Sequence, residues 1–179
     1  GFNGAGKLDS FAFMPIQSFS TAVTTFVGQN IGANKPERVR EGTRATLAMS
    51  CGFSVVIAVL LLLTGRFCMR LFSTDPEVIE SGYAYLARIL PFYWMLAIMF
   101  VLSGVMRGAG EMIVPMVTSL SALWLARIPA AYLLARFFGP ANIHFSYAAG
   151  WLLGLIICIP YYFGGRWRSK SVVVPGEGV

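Results

Sequence analysis

The chain has 179 residues, 56% of them hydrophobic and only 12% charged, with a mean hydropathy of +0.68 and a formal net charge of +6. A soluble domain carries about 25% charged residues because its surface must be wetted, so this composition excludes a water-exposed globule and identifies a polytopic membrane protein. The basic excess falls in short loops and at helix ends, the pattern of cytoplasmic loops rather than of a nucleic-acid-binding face.

A bilayer core about 30 Å thick needs about 20 apolar residues of helix, and five stretches qualify. The first, Ser10 to Asn34, is a run of 25 residues without a charge. It is also the most polar span, with Gln17, Ser18, Ser20, Thr21, Thr24, Thr25, Gln29 and Asn30. At about 100° per residue, Gln17, Thr21 and Thr24 share a face with Ser10 and Gly28. Such a stripe suits either the wall of a wet cavity or hydrogen bonding between helices. The second span covers residues 45–65 and ends in Leu60-Leu61-Leu62-Leu63. The third covers about 79–106 and holds Arg88, Pro91 and an aromatic and thioether group around Tyr93. The fourth, 112–135, is interrupted by Arg127 and Pro129; the fifth is 145–165. In lipid the backbone must satisfy its own hydrogen bonds, and runs of this length exclude the roughly ten-residue strands of a barrel. The expected fold is therefore all-α, with five transmembrane helices and a short flexible tail over 169–179.

Orientation follows from the basic residues. The first loop, the third loop and the tail hold eight Lys and Arg, against four on the opposite side. Basic residues concentrate on the cytoplasmic side, so these loops and the C-terminus are expected there. An odd number of spans then puts Gly1 outside, which suggests a piece of a longer polypeptide.

Chemistry-bearing patterns are few. His144 is the only histidine, and Cys51, Cys68 and Cys158 are too scattered for a metal site or a redox motif. No nucleophile elbow, zinc-protease or phosphate-loop pattern is present. All eight acids read as lying in loops, at helix ends or in the tail, which leaves no carboxylate pair facing the membrane interior. No enzyme, catalytic residue, metal site or cofactor is expected. Arg88 and Arg127 are the ionisable groups within spans, either structural or facing a cavity. Pro15, Pro91, Pro115, Pro129 and Pro160 can kink their helices. The pairs Gly28/Gly32, Gly104/Gly108 and Gly150/Gly154 have the spacing of close helix crossings.

Phe26-Val27-Gly28-Gln29-Asn30-Ile31-Gly32-Ala33, followed by Lys35-Pro36-Glu37-Arg38, resembles the signature that ends the eighth helix of multidrug and toxin extrusion (MATE) transporters. Leu71-Phe72-Ser73-Thr74-Asp75-Pro76-Glu77-Val78, then Ser103-Gly104-Val105-Met106-Arg107-Gly108-Ala109-Gly110, and finally Trp124 with Arg127-Ile128-Pro129 resemble later family segments in the same order. The resemblance covers about Gly4 to Arg168. It implies helices eight to twelve of a twelve-helix antiporter, most of a C-terminal lobe, whose N-terminal lobe on the same polypeptide is absent here. It further implies a multi-pass protein of the bacterial inner membrane that exports organic cations and drugs by alternating access, driven by H⁺ or Na⁺. On this reading the coupling-ion site lies in the absent lobe. Gln17, Thr21, Thr24 and Tyr93 are the expected cavity-lining residues. Gly28, Gln29, Asn30, Gly32, Arg107, Gly108, Arg127 and Pro129 are expected to shape and position helices. A lipid-linked oligosaccharide flippase of the same superfold and a truncated, non-transporting fragment are the alternatives.

Overall fold

The structure is a computed structural model, and it describes residues 2–170. The expected tail from Ser171 onwards lies outside the described residues. Among the described residues, seven α-helices form: α1 (Phe2–Gly32), α2 (Pro36–Arg70), α3 (Pro76–Ile89), α4 (Tyr93–Gly108), α5 (Ile113–Ser121), α6 (Ile128–Phe138) and α7 (Phe145–Gly164). They make five long segments, because α3–α4 and α5–α6 are each one interrupted rod. Four of the five are long and apolar enough to cross a membrane. α1 has ample length at 31 residues, but its hydroxyls and amides lower its hydropathy and leave it outside that group.

The interruptions have local causes. Pro91 lacks an N–H and crowds the carbonyl four residues before it, and Leu90–Phe92 tightens into a 3₁₀ turn between α3 and α4. Pro129 acts similarly on α5–α6: the preceding turn, Ala122–Arg127, widens into a π-helix, the usual way to absorb one extra residue in a helix. Pro15 and Pro160, by contrast, sit inside continuous helices.

Within α1 the polar stripe is largely self-satisfied. The hydroxyls of Ser10, Ser18, Thr21 and Thr25 donate to carbonyls four residues back, at 2.8–3.4 Å, which removes most of the penalty for placing them among apolar groups. The opposite face of α1 is apolar and buried: Ala5, Leu8, Ala12, Ile16, Val23 and Val27. It packs on α4, the centre of the bundle, where every residue from Val101 to Met106 is buried. α2 and α7 close around α4 from other sides. Large apolar side chains point outward instead, among them Leu63, Phe67, Leu125, Phe138 and Phe163. An exposed apolar belt on this scale has lipid as its complement.

α1 and α4 run parallel in a constant register of 80 residues. Ser20 Oγ donates to the Phe100 carbonyl at 2.7 Å, and one turn on Thr24 Oγ1 donates to the Gly104 carbonyl at 3.0 Å. Gly28 then meets Gly108. Gly104 and Gly108 are required here: a Cβ on Gly104 would lie 2.6 Å from the Ser20 carbonyl oxygen, and one on Gly108 would strike the Thr24 carbonyl oxygen. Gly150 performs the same service on α7, where a Cβ would come within 2.9 Å of the Ala122 carbonyl oxygen in the π turn.

α3 begins with a full cap. Asp75 occupies the N-cap, its Oδ1 accepts from the Glu77 amide at 2.9 Å, and Pro76 takes the first helical position, where its missing N–H costs nothing. Asp75→Ala is expected to destabilise the protein by about 1 kcal/mol, read as a lower melting temperature in detergent. Removing the exposed Arg66–Glu80 pair, whose side chains are 57% and 59% accessible, should cost less.

Candidate functional site

The reading of all eight acids as peripheral is corrected by α1, which begins well before its charge-free run and carries Asp9 into the bundle. The Asp9 carboxylate accepts hydrogen bonds from two phenols. Tyr93 donates to Oδ1 in a very short contact, and Tyr85 donates to Oδ2 at 3.3 Å. Both tyrosines are buried. Tyr85 is near the end of α3 and Tyr93 is the first residue of α4, so the turn at Pro91 aims both rings at one carboxylate.

Asp9 and Tyr93 of this cluster line a cavity of about 360 Å³ between α1, α4, α7 and the π turn. Asp9, Tyr93, Met99, Arg127, Tyr147 and Trp151 are among its walls. The Arg127 guanidinium lies over the Tyr147 ring at 3.6 Å, a cation–π contact that keeps it within the bundle. The Tyr93 and Trp151 rings meet edge to face at 5.7 Å, and Tyr147 approaches Trp151 at 6.1 Å. The site thus joins one carboxylate, one guanidinium and three electron-rich aromatic faces in a largely apolar recess. A carboxylate beside aromatic faces attracts organic cations, through charge at one end and ring quadrupoles along the sides.

The expected cavity residues are distributed unevenly. Tyr93 lines this cavity, but Gln17 and Thr21 lie on the exposed face of α1. Thr24 faces α4, where its hydroxyl is shared between the Ser20 and Gly104 carbonyls. Among the expected structural residues, Gly28 and Gly108 sit at the α1–α4 crossing, and Arg107 donates to Ser20 Oγ at 2.9 Å. Asn30 is buried and donates to the Phe26 carbonyl. Gln29 and Gly32 are exposed near the end of α1, and Pro129 follows the π turn. Arg88, in the last turn of α3, does not line this cavity but a separate recess that it shares with Tyr85 and His144.

Sequence reasoning missed Asp9, Tyr147 and Trp151. Glu111 lies, as expected, in the loop between α4 and α5, but its burial was not foreseen. Glu111 is 1% exposed: Oε1 accepts from the amides of Ile113 and Val114, and Oε2 accepts from the Tyr161 hydroxyl at 2.8 Å. It therefore caps α5 and ties it to α7.

A family model described as MatE matches residues 1–133. The chain is 34% identical over 96% of its length to a probable multidrug resistance protein, YpnP, of Bacillus subtilis, covering 39% of that protein. It is 27% identical over 93% of its length to a probable multidrug resistance protein, NorM, of Thermotoga maritima, and 26% identical over 91% to an FAD transporter of Shewanella oneidensis, covering 36% of each. The chain therefore spans about two fifths or less of the length of these relatives. No solved structure matches it.

Proposed function

The chain belongs to the MatE family, and from that premise we propose that it forms part of a secondary active exporter of organic cations and drugs. The observation that carries this reading is the Asp9 carboxylate, held by Tyr85 and Tyr93 and lining a cavity walled by aromatic rings. Transport follows if the cavity opens alternately to the two sides of a bacterial inner membrane, with the C-terminus cytoplasmic. The five segments are most of a C-terminal lobe, and the partner lobe of the same polypeptide completes the pathway. The exposed polar face of α1, bearing Gln17 and Thr21, supports this: it lies opposite the packed face and suits a wet wall shared with that lobe. One relative's name, FAD transporter, also describes a transporter.

The coupling site is assigned differently from the expectation drawn from sequence, which put it wholly in the absent lobe. Asp9 can hold either a proton or Na⁺ or, once ionised and vacated, the positive charge of a substrate. Competition between the two for one carboxylate couples inward ion movement to outward drug movement. Tyr85 and Tyr93 hold the carboxylate through their hydroxyls, so its geometry survives the exchange. The π turn before Pro129 gives α5–α6 a place to bend while Arg127 stays on Tyr147.

The test uses the full polypeptide carrying this chain, reconstituted in liposomes with a fluorescent organic cation. Imposed H⁺ and Na⁺ gradients, applied separately, are expected to drive cation movement with one of the two ions. Movement with neither ion would remove the antiport reading. A phosphate-bearing substrate is the second reading, favoured by Arg127 in the cavity and by similarity to a relative named as an FAD transporter. Competition by a flavin dinucleotide, without competition by organic cations, would select it.

A further inference from the structure

A second cavity, of about 380 Å³, lies where the end of α1, the start of α2 and the end of α7 meet. Asn34, Lys35, Arg40, Tyr162, Trp167 and Arg168 are among its walls. Three cations thus face it, opposed by the single carboxylate of Glu37. Apart from charge, the site has a built floor. The Tyr162 and Trp167 rings stack with centroids 5.4 Å apart and planes 13° apart. The Trp167 indole N–H donates to the Tyr162 carbonyl at 2.8 Å, and Trp167 is 2% exposed. Gly165, in the left-handed conformation at φ 71°, turns the chain back so that this stack can form. Arg168 is held over Trp167 at 5.3 Å. On the other wall, Asn34 at φ 54° ends α1, and Lys35 occupies the N-cap of α2 without a side-chain cap. The positive end of the α2 dipole therefore adds to the three cations.

We propose that this pocket binds the phosphate headgroup of an anionic phospholipid from the cytoplasmic leaflet. A lipid fits better than a soluble anion because the recess is at the edge of the apolar belt. Phe163, between the pocket residue Tyr162 and the turn, is 80% exposed. Basic pockets between helices at the cytoplasmic end recruit such headgroups, and interfacial Tyr and Trp sit at headgroup depth. The lipid bridges α1, α2 and α7 at the end where α1 crosses α4. This inference is independent of what the Asp9 cavity carries.

The experiment measures thermal stability and lipid retention by native mass spectrometry on the full polypeptide in detergent. Phosphatidylglycerol is compared with phosphatidylcholine and with inorganic phosphate. Phosphatidylglycerol is expected to raise the melting temperature and to remain bound, while phosphatidylcholine and phosphate do neither. Lys35→Gln, Arg40→Gln and Arg168→Gln should each weaken retention about fivefold. Arg168 is exposed, so Arg168→Gln is the variant that leaves the fold intact should Lys35→Gln or Arg40→Gln disturb it. Equal stabilisation by both lipids, undiminished retention in Arg168→Gln and Arg40→Gln, or the same shift with inorganic phosphate would overturn the proposal.

Discussion

Asp9→Asn is expected to abolish ion-driven export of organic cations while the protein still reaches the membrane at normal levels. Asn keeps the size of the side chain and can still accept one phenol hydrogen bond, so the local packing survives. What it loses is the negative charge and the titratable oxygen. A unit charge about 4 Å from a cation is worth about 4 kcal/mol at an effective dielectric constant near 20, or roughly a thousandfold in affinity. Desolvation of the cation takes back part of this, so a loss of at least tenfold in binding is the conservative expectation. Tyr93→Phe removes only one charge-assisted hydrogen bond, worth about 1.5–3 kcal/mol. It should therefore weaken export less than Asp9→Asn and leave the ion dependence in place. Direct binding of a fluorescent cation to the purified full polypeptide, alongside export from inverted vesicles, separates the two variants. Wild-type binding and export by Asp9→Asn would remove the carboxylate from the site.

Why Asp9 escaped the sequence is instructive about membrane helices. Spans are found by the absence of charge, so a charged residue marks the edge of a span by construction. Here that edge fell at Ser10, one residue after the carboxylate the cavity is built around. The signal that could have found it is periodic rather than compositional: Ala5, Leu8, Ala12, Ile16, Val23 and Val27 form the buried face of α1, and that pattern runs straight through Asp9. Two glycines, Gly4 and Gly6, weaken helix propensity in the first turns and obscured it. Tyr147 and Trp151 were hidden for a different reason. They stand four apart on α7, and at that spacing aromatic residues look the same whether they face lipid or a cavity.

Features fixed by backbone chemistry were easier to read. The glycine pairs on α4 and α7 became close crossings because helix contact needs small residues wherever backbones approach. The Asp75-Pro76-Glu77 sequence became a capped helix start for equally local reasons. The long uncharged runs became apolar rods because a helix is the one single segment that crosses lipid with its backbone satisfied within itself. Tertiary events were the ones left out. The burial of the loop residue Glu111 went unread because neither the two amides of α5 that it caps nor its bond to Tyr161 shows in local sequence. The widening of Ala122–Arg127 was signalled only by Pro129, which indicates a distortion but not its form.

Gly104→Val tests whether the α1–α4 crossing holds the bundle together, and it should destabilise the protein strongly. The added Cβ would meet backbone and side chain of Ser20 at once, 2.6 Å from the carbonyl oxygen and 2.9 Å from Oγ. A backbone carbonyl cannot swing away as a side chain can, so the helices must separate. Overpacking of this kind costs about 1–3 kcal/mol even where side chains can adjust. Separation would also break the Ser20–Phe100 and Thr24–Gly104 bonds and the Arg107 contact with Ser20. The control is Gly52→Ala on α2, where a Cβ would meet nothing within 4 Å. There the helix gains propensity, and the change should stabilise by about 0.5–1 kcal/mol. Gly104→Ala completes the comparison: both glycines then gain a single methyl, so opposite signs for Gly104→Ala and Gly52→Ala come from the crossing. Thermal unfolding of the detergent-solubilised full polypeptide, followed by size-exclusion chromatography, reads both. Equal melting temperatures for Gly104→Val and wild type would mean that α1 does not rest on α4 as described, and the placement of Asp9 beside Tyr93 would fall with it.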